Sequence, residues 1–290
     1  MKIARVFPRR TAATPKDSLA WSLYRTQKGE IIWESALPPR YAMPEIDAVH
    51  VSVAFTYDMP EAEILAKEWR CAGVPVLIGG PATGQAGGEF EPGMYLKRGY
   101  AITSRGCPNR CWFCSVPKRE GVLRELPIKD GFNILDDNLL ACSEEHIRSV
   151  FAMLERQTER PIFSGGLEAA QLKPWHVDLI RKSGMHHLFM AYDTPDDYEP
   201  LVTSGKMLMD AGYTFASHAL RAYVLIGYPG DTMDKAEKRL IDTLRAGFWP
   251  MAMLWKDDKG NENAEWRRFQ GQWVRPAELH AKVRDGEIVL

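Results

Sequence analysis

Short apolar runs alternate with longer segments of helical period along most of the chain. The run 48–55, with β-branched Val49, Val51 and Val53, predicts a strand. Pro60 suits the first turn of a helix reaching about Ala72, and Gly73 suits its stop. Residues 74–78 form a second apolar run, which ends in Gly79-Gly80-Pro81. Strand, helix and strand within about 30 residues predict a βαβ unit and hence a parallel pair. The stretch 79–93 contains Gly84, Gly87 and Gly88 and predicts a long loop or linker. Further strands are predicted at 100–104, 132–135, 161–164, 186–191, 221–226 and 248–254. Their C-terminal ends fall about 25 to 35 residues apart, the size of one βα unit.

Helices fit between these strands. Ser143 is a cap with Glu144 and Glu145 in the first turn, where negative charge favours the dipole. Ile147, Val150, Phe151 and Leu154 then share one face. Pro174 opens a helix that stops at Gly184. Thr232 opens another, with Ala236, Leu240 and Leu244 inward and Gly247 at its end. Six βα steps lie within the 155 residues from 100 to 254, too few for a closed eight-stranded barrel of about 250 residues. The expected fold class is α/β: an open, partial (β/α)6 barrel over 99–256, preceded by a small α/β accessory domain and linker over 1–98. By analogy with closed barrels, chemistry is expected at the C-terminal strand ends. A charged extension, 257–290, carries Asp257-Asp258-Lys259-Gly260-Asn261. Its Trp266, Phe269 and Trp273 are expected to pack onto the barrel.

Composition narrows the function classes. The chain has 290 residues, 45% hydrophobic and 26% charged, an ordinary globular balance. Lys plus Arg number 37 and Asp plus Glu 38, so the net charge of -1 leaves no strong basic footprint for nucleic acid. No apolar run reaches 18 residues, which predicts no membrane span and no membrane partner. Arg5 and Pro8 break the N-terminal segment before a signal-peptide core can form, so the cytoplasm is the expected compartment.

Cysteine spacing changes the picture most. Cys71, Cys107, Cys111, Cys114 and Cys142 are odd in number, and three of them fall within eight residues. That is a poor disulfide framework and a good metal-ligand pattern. Thiolates at Cys107-x3-Cys111-x2-Cys114 can wrap one face of a cubane [4Fe–4S] cluster. Three ligands leave one of four irons open, and an open iron can bind a further molecule. A structural zinc site, or a closed cluster with Cys142 or Cys71 as fourth ligand, is the alternative.

This Cys-x3-Cys-x2-Cys loop, with Phe113 before its last cysteine and the first strand of a βα series before it, resembles the signature of radical S-adenosylmethionine enzymes. The resemblance covers about 100–254 and implies the partial barrel. It implies that Cys107, Cys111 and Cys114 hold the cluster, and that S-adenosylmethionine chelates the open iron through its amino and carboxylate groups. One electron then cleaves the sulfonium to methionine and a 5′-deoxyadenosyl radical, which takes hydrogen from a substrate. Phe113 would flank the adenine. Asp136-Asp137-Asn138, after the second strand, stands where the family often grips the methionine amino group, with Asp136 and Asp137 as candidates; the alternative is a turn that caps the next helix. Gly165 and Gly166 open a Gly-Leu-Glu-Ala-Ala segment resembling Gly-Leu-Asp-Ala-Arg, with Ala170 in place of the Arg. Asp193, after the fourth strand, would hold the ribose hydroxyls or cap a helix. Gly227 and Pro229 belong to a turn resembling Gly-x-Pro-Gly-Glu-Thr, where Gly227 would let backbone approach adenine. A flavodoxin- or ferredoxin-type donor would supply the electron.

Residues 47–80 resemble the end of a cobalamin-binding domain that precedes the barrel in one radical enzyme class. The Asp-x-His-x-x-Gly ligand pattern is missing, and His50 falls inside a predicted strand, so the unit reads as a degenerate accessory domain. Cobalamin without a His ligand is the minor alternative. His218 has no evident partner in the sequence. The substrate class is open among small molecule, peptide and nucleic acid, and so is the reaction, from methyl transfer to methylthiolation. The competing function is a non-catalytic iron–sulfur or zinc module that senses redox state or binds nucleic acid.

Overall fold

The computed structural model describes residues 2–20, 22–25, 31–34, 36–38, 45–257, 259–273, 276–286 and 288. The chain divides into two compact units, residues 1–100 with 109–122, and residues 101–108 with 123–290. Both are built on parallel sheet with helices, so the protein is mixed α/β.

The smaller unit holds strands β1 (Ile3–Phe7), β2 (Leu19–Ala20), β3 (Ser22–Arg25), β4 (Ile31–Glu34), β5 (Ala48–Ser52) and β6 (Val76–Gly79). The order β2-β1-β5-β6 is parallel throughout, while β3 and β4 form an antiparallel pair. Helix α1 (Met59–Cys71) joins β5 to β6, with Pro60 in its first turn. Its Ala62, Leu65, Ala66 and Trp69 follow the helical period and form a buried cluster with Val6, Val49, Val51 and Val53. The Trp69 indole donates to the Ala36 carbonyl at 2.8 Å, which satisfies its buried N–H. The strand expected over 48–55 ends at Ser52, although the Val53 N–H still reaches the Gly79 carbonyl at 2.8 Å. The Gly-rich stretch 79–93 has one short 3-10 turn, Pro81–Thr83. Its Gly87 N–H donates to the buried Glu120 carboxylate at 3.0 Å, just past α2 (Val116–Arg119).

The larger unit takes in the second residue of β7 (Tyr100–Ala101) and contains β8 (Ser104–Arg105), β9 (Arg124–Glu125), β10 (Asn133–Ile134), β11 (Ile162–Phe163), β12 (His187–Ala191), β13 (Leu220–Ile226) and β14 (Trp249–Leu254). One six-stranded sheet runs β14-β13-β12-β11-β10-β7, in sequence order, and pairing is parallel from β10 to β14. Crossover helices are α3 (Glu144–Leu154), α4 (Pro174–Ser183), α5 (Tyr198–Asp210) and α6 (Met233–Arg245). Ser143 caps α3 by accepting from the His146 N–H at 3.2 Å, and Thr232 caps α6 by accepting from the Lys235 N–H at 3.3 Å. Ile147, Val150, Phe151 and Leu154 of α3 and Ala236, Leu240 and Leu244 of α6 are all buried. On β13, Leu220, Ala222, Val224 and Ile226 are buried and alternate with half-buried Arg221, Tyr223 and Leu225.

The strand expected over 100–104 is divided. Tyr100–Ala101 stays in the large sheet, and Ser104–Arg105 pairs antiparallel with β9. Beyond β14, α7 (Ala264–Trp273) buries Phe269 and Trp273, and Gln270 donates to the Ala252 carbonyl at 2.8 Å. α8 (Pro276–Arg284) follows. In the turn between β14 and α7, Asp257 accepts from the Lys259 and Asn261 N–H groups; Asp258 lies outside the described residues. Among the described residues, no helix is long and apolar enough to cross a membrane.

Candidate metal centre and its surroundings

Parallel pairing from β10 to β14 brings their C-terminal ends to one edge of the sheet, and Asp136, Asp137, Gly165, Gly166, Asp193 and Gly227 follow those strand ends. The segment after β10 is the most densely bonded. Asp136 is 1% exposed, and its carboxylate accepts from the Thr103 N–H at 2.6 Å, the Thr103 hydroxyl at 2.5 Å and the Ser104 hydroxyl at 2.9 Å. Burial pushes its pKa up, opposed by the bonds from Thr103 and Ser104. The Thr103 hydroxyl also stands 3.2 Å from His146 Nε2, and His146 Nδ1 is 3.8 Å from Glu125. Asp136 is therefore saturated by the strand that leads into the cysteine loop. Its neighbour Asp137, half-buried, accepts from the Gly106 N–H at 2.8 Å, immediately before Cys107.

Asn138 completes the run. It is 3% exposed, and Nδ2 donates to Glu168 at 2.6 Å and to the Cys107 sulfur at 3.4 Å. Its side-chain oxygen Oδ1 is buried without a hydrogen-bond partner among the described residues. Three consecutive side chains thus serve three different points of the segment 103–107. Asn138 and Glu168 were not picked out by the sequence reading, although both lie inside segments it marked. Their signal is spacing: 31 and 30 residues separate Cys107, Asn138 and Glu168, about one βα unit each.

The remaining candidates divide by strand end. Gly165 follows β11, and its N–H donates to the Ile134 carbonyl at 2.9 Å; a Cβ there would stand 2.4 Å from the Asp136 carbonyl oxygen, so only glycine lets the two strand ends come this close. Gly166 has φ +95°. Asp193 accepts from the Leu225 N–H at 2.8 Å, and burial pushes its pKa up to about 6. It does not cap the following turn: its own N–H, with that of Thr194, is bound by Asp197. The Gly227 N–H donates to Asp231 at 2.9 Å, and a Cβ on Gly227 would meet Leu254 and Trp266 at about 3 Å. Leu254 and Trp266 thus pack where a side chain at 227 would stand. Arg239 binds Asp231 at 2.8 Å and the Leu225 carbonyl at 2.9 Å, pinning this turn. Pro229 is exposed.

Cys107 is half-buried in the larger unit; Cys111, exposed, and Cys114, half-buried, belong to the smaller one. The Cys114 N–H donates to the Cys111 carbonyl at 3.0 Å, so the x2 spacing forms a turn. Phe113 lies edge-on to the exposed Trp112, with centroids 5.4 Å apart. None of the five cysteines is in a disulfide. The donor set suits an iron–sulfur cluster: three thiols on one short loop, with an amide N–H aimed at one sulfur. Among the described residues, no group of three His, Cys, Asp or Glu side chains is gathered as a preformed cage. The fit thus rests on the chemistry of the donors.

No family model matches the sequence, and no curated protein is significantly similar to it.

Proposed function

We propose that the protein is a radical S-adenosylmethionine enzyme, with the six-stranded unit as a partial (β/α)6 barrel and the smaller unit as a degenerate Rossmann-like accessory domain. The observation that carries the reading is Cys107-x3-Cys111-x2-Cys114 following the first strand of a parallel sheet whose strands run in sequence order. Cys107, Cys111 and Cys114 would hold a [4Fe–4S] cluster. A cluster bound there would supply one electron to the sulfonium of S-adenosylmethionine, giving methionine and a 5′-deoxyadenosyl radical that would take a hydrogen atom from the substrate. The chain's own residues bind and orient. Asp136 and Asp137 hold the backbone of the cysteine loop, and Asn138 Oδ1, without a partner among the described residues, would accept from the methionine ammonium. Asp193, with one oxygen on Leu225 N–H, keeps a carboxylate oxygen for ribose hydroxyls.

The test is anaerobic reconstitution with iron and sulfide, followed by dithionite and S-adenosylmethionine. The expected result is 5′-deoxyadenosine from the wild type and none from Cys111→Ala. A colourless, zinc-loaded protein that releases no 5′-deoxyadenosine overturns the reading in favour of a non-catalytic metal module.

A further inference from the structure

We propose that Asn138 is a positioning residue for Cys107, and that its amide donates to the ligand sulfur and sets the potential of the cluster held there. This rests on the proposed function and goes beyond it, because it assigns control of the potential to a side chain that holds no metal. Three observations carry it. Asn138 is almost fully buried, so its amide does not exchange partners with water. Glu168, 2.6 Å away, accepts one amide hydrogen and leaves the other for Cys107 Sγ at 3.4 Å. The amide orientation is fixed, since the opposite assignment would set its carbonyl oxygen against a carboxylate. The chain entering Cys107 is tethered to the same run, because Asp137 holds the Gly106 N–H and Asp136 holds Thr103 and Ser104.

A donor to a ligand sulfur stabilises the more negatively charged, reduced state and raises the potential. The Glu168 carboxylate strengthens that donor by polarising the amide. Cys142, the other thiol near this segment, lies 3.9 Å from the Asn138 backbone carbonyl oxygen, on the main chain and not on the side-chain amide.

The experiment is an EPR-monitored reductive titration of the reconstituted, S-adenosylmethionine-free protein, comparing wild type, Asn138→Ala, Asn138→Asp and Glu168→Gln. The expected result is a full cluster with a more negative midpoint in Asn138→Ala. A tenfold loss of reduced-state stabilisation reads as about 59 mV in a one-electron couple. Asn138→Asp should shift further, and Glu168→Gln less, in the same direction. Cluster-loaded Asn138 variants with the wild-type midpoint overturn the inference. If the Asn138 variants fail to load, a wild-type midpoint in Glu168→Gln overturns it instead. Failure of the wild type itself to assemble a cluster is a different outcome and refutes the proposed function.

Discussion

Replacing Asp136 separates a scaffolding carboxylate from one that grips a cofactor. The Asp136 carboxylate accepts from the Thr103 N–H and the Ser104 hydroxyl, and both donors belong to residues with no exposed surface. Truncation to alanine strands the Thr103 N–H, which the backbone cannot turn away, while the Ser104 hydroxyl keeps a partner in the Cys142 thiol. The Thr103 hydroxyl keeps a partner in His146 at 3.2 Å. The stranded N–H costs about 1–3 kcal/mol and the charge-assisted bonds lost by the two hydroxyls add to it, so Asp136→Ala should lose roughly 3–4 kcal/mol. Asp136→Asn keeps one acceptor for the Thr103 N–H, offers its amide to the hydroxyl oxygens and removes a buried charge, so its loss should stay below about 1 kcal/mol. Urea unfolding resolves the difference of roughly 2–3 kcal/mol as a shift in midpoint at constant slope. Equal losses in the two variants would mean that acceptor geometry is not what Asp136 supplies. An unchanged midpoint in Asp136→Ala, with weakened S-adenosylmethionine binding by calorimetry, would refute the scaffolding role and return Asp136 to the ammonium site.

Three further outcomes follow from the same geometry. Burial holds the Asp193 carboxyl up at about 6, against about 3.9 in an unfolded chain; between these values the folded state keeps a proton the unfolded state has lost, so stability falls as pH rises from about 4 to 6, by roughly 3 kcal/mol, and then levels. Asp193→Asn should flatten that slope in urea titrations, and an unchanged slope would sink the assignment. Gly205→Ala gains about 1 kcal/mol in helix propensity, yet its Cβ would stand 1.9 Å from the Ala246 carbonyl oxygen; a net loss of about 2–3 kcal/mol is expected from the overpacking, and a raised melting temperature would contradict it. Arg239→Met leaves the fully buried Asp231 without its ion pair and should cost about 3–5 kcal/mol. Thermal unfolding that matches the wild type would show that the pair does not hold the turn after β13.

What the sequence made legible is what is encoded locally. α1, α3 and α6 follow from their caps and apolar faces, because both signals lie within a few turns of the helix they specify. The spacing of the three cysteines is legible for the same reason. The strand expected over 100–104 broke because the Thr103 N–H is taken by a carboxylate 33 residues away, a competitor that apolar periodicity cannot register. His218, without a partner in the sequence, meets His280 across 62 residues at 2.6 Å, stacked on Trp249.

The site itself was half legible, and the missing half has a physical cause. Reading Asp136 and Asp137 as one acidic pair treats neighbours in sequence as neighbours in function. Past a strand end, successive side chains leave the backbone in different directions, so Asp136, Asp137 and Asn138 reach Thr103, Gly106 and Cys107 in turn. Partners at such an edge lie instead one βα unit apart, because each crossover returns the chain to the same edge of a parallel sheet. Cys107, Asn138 and Glu168 fall at that interval, and Asp193 comes 25 residues later, after the next strand. The period that builds the sheet is therefore also the one that brings Asn138 to Cys107 and Glu168 to Asn138. A search for polar side chains repeating at the crossover length, just beyond each apolar run, would have found Asn138 and Glu168 where adjacency alone could not.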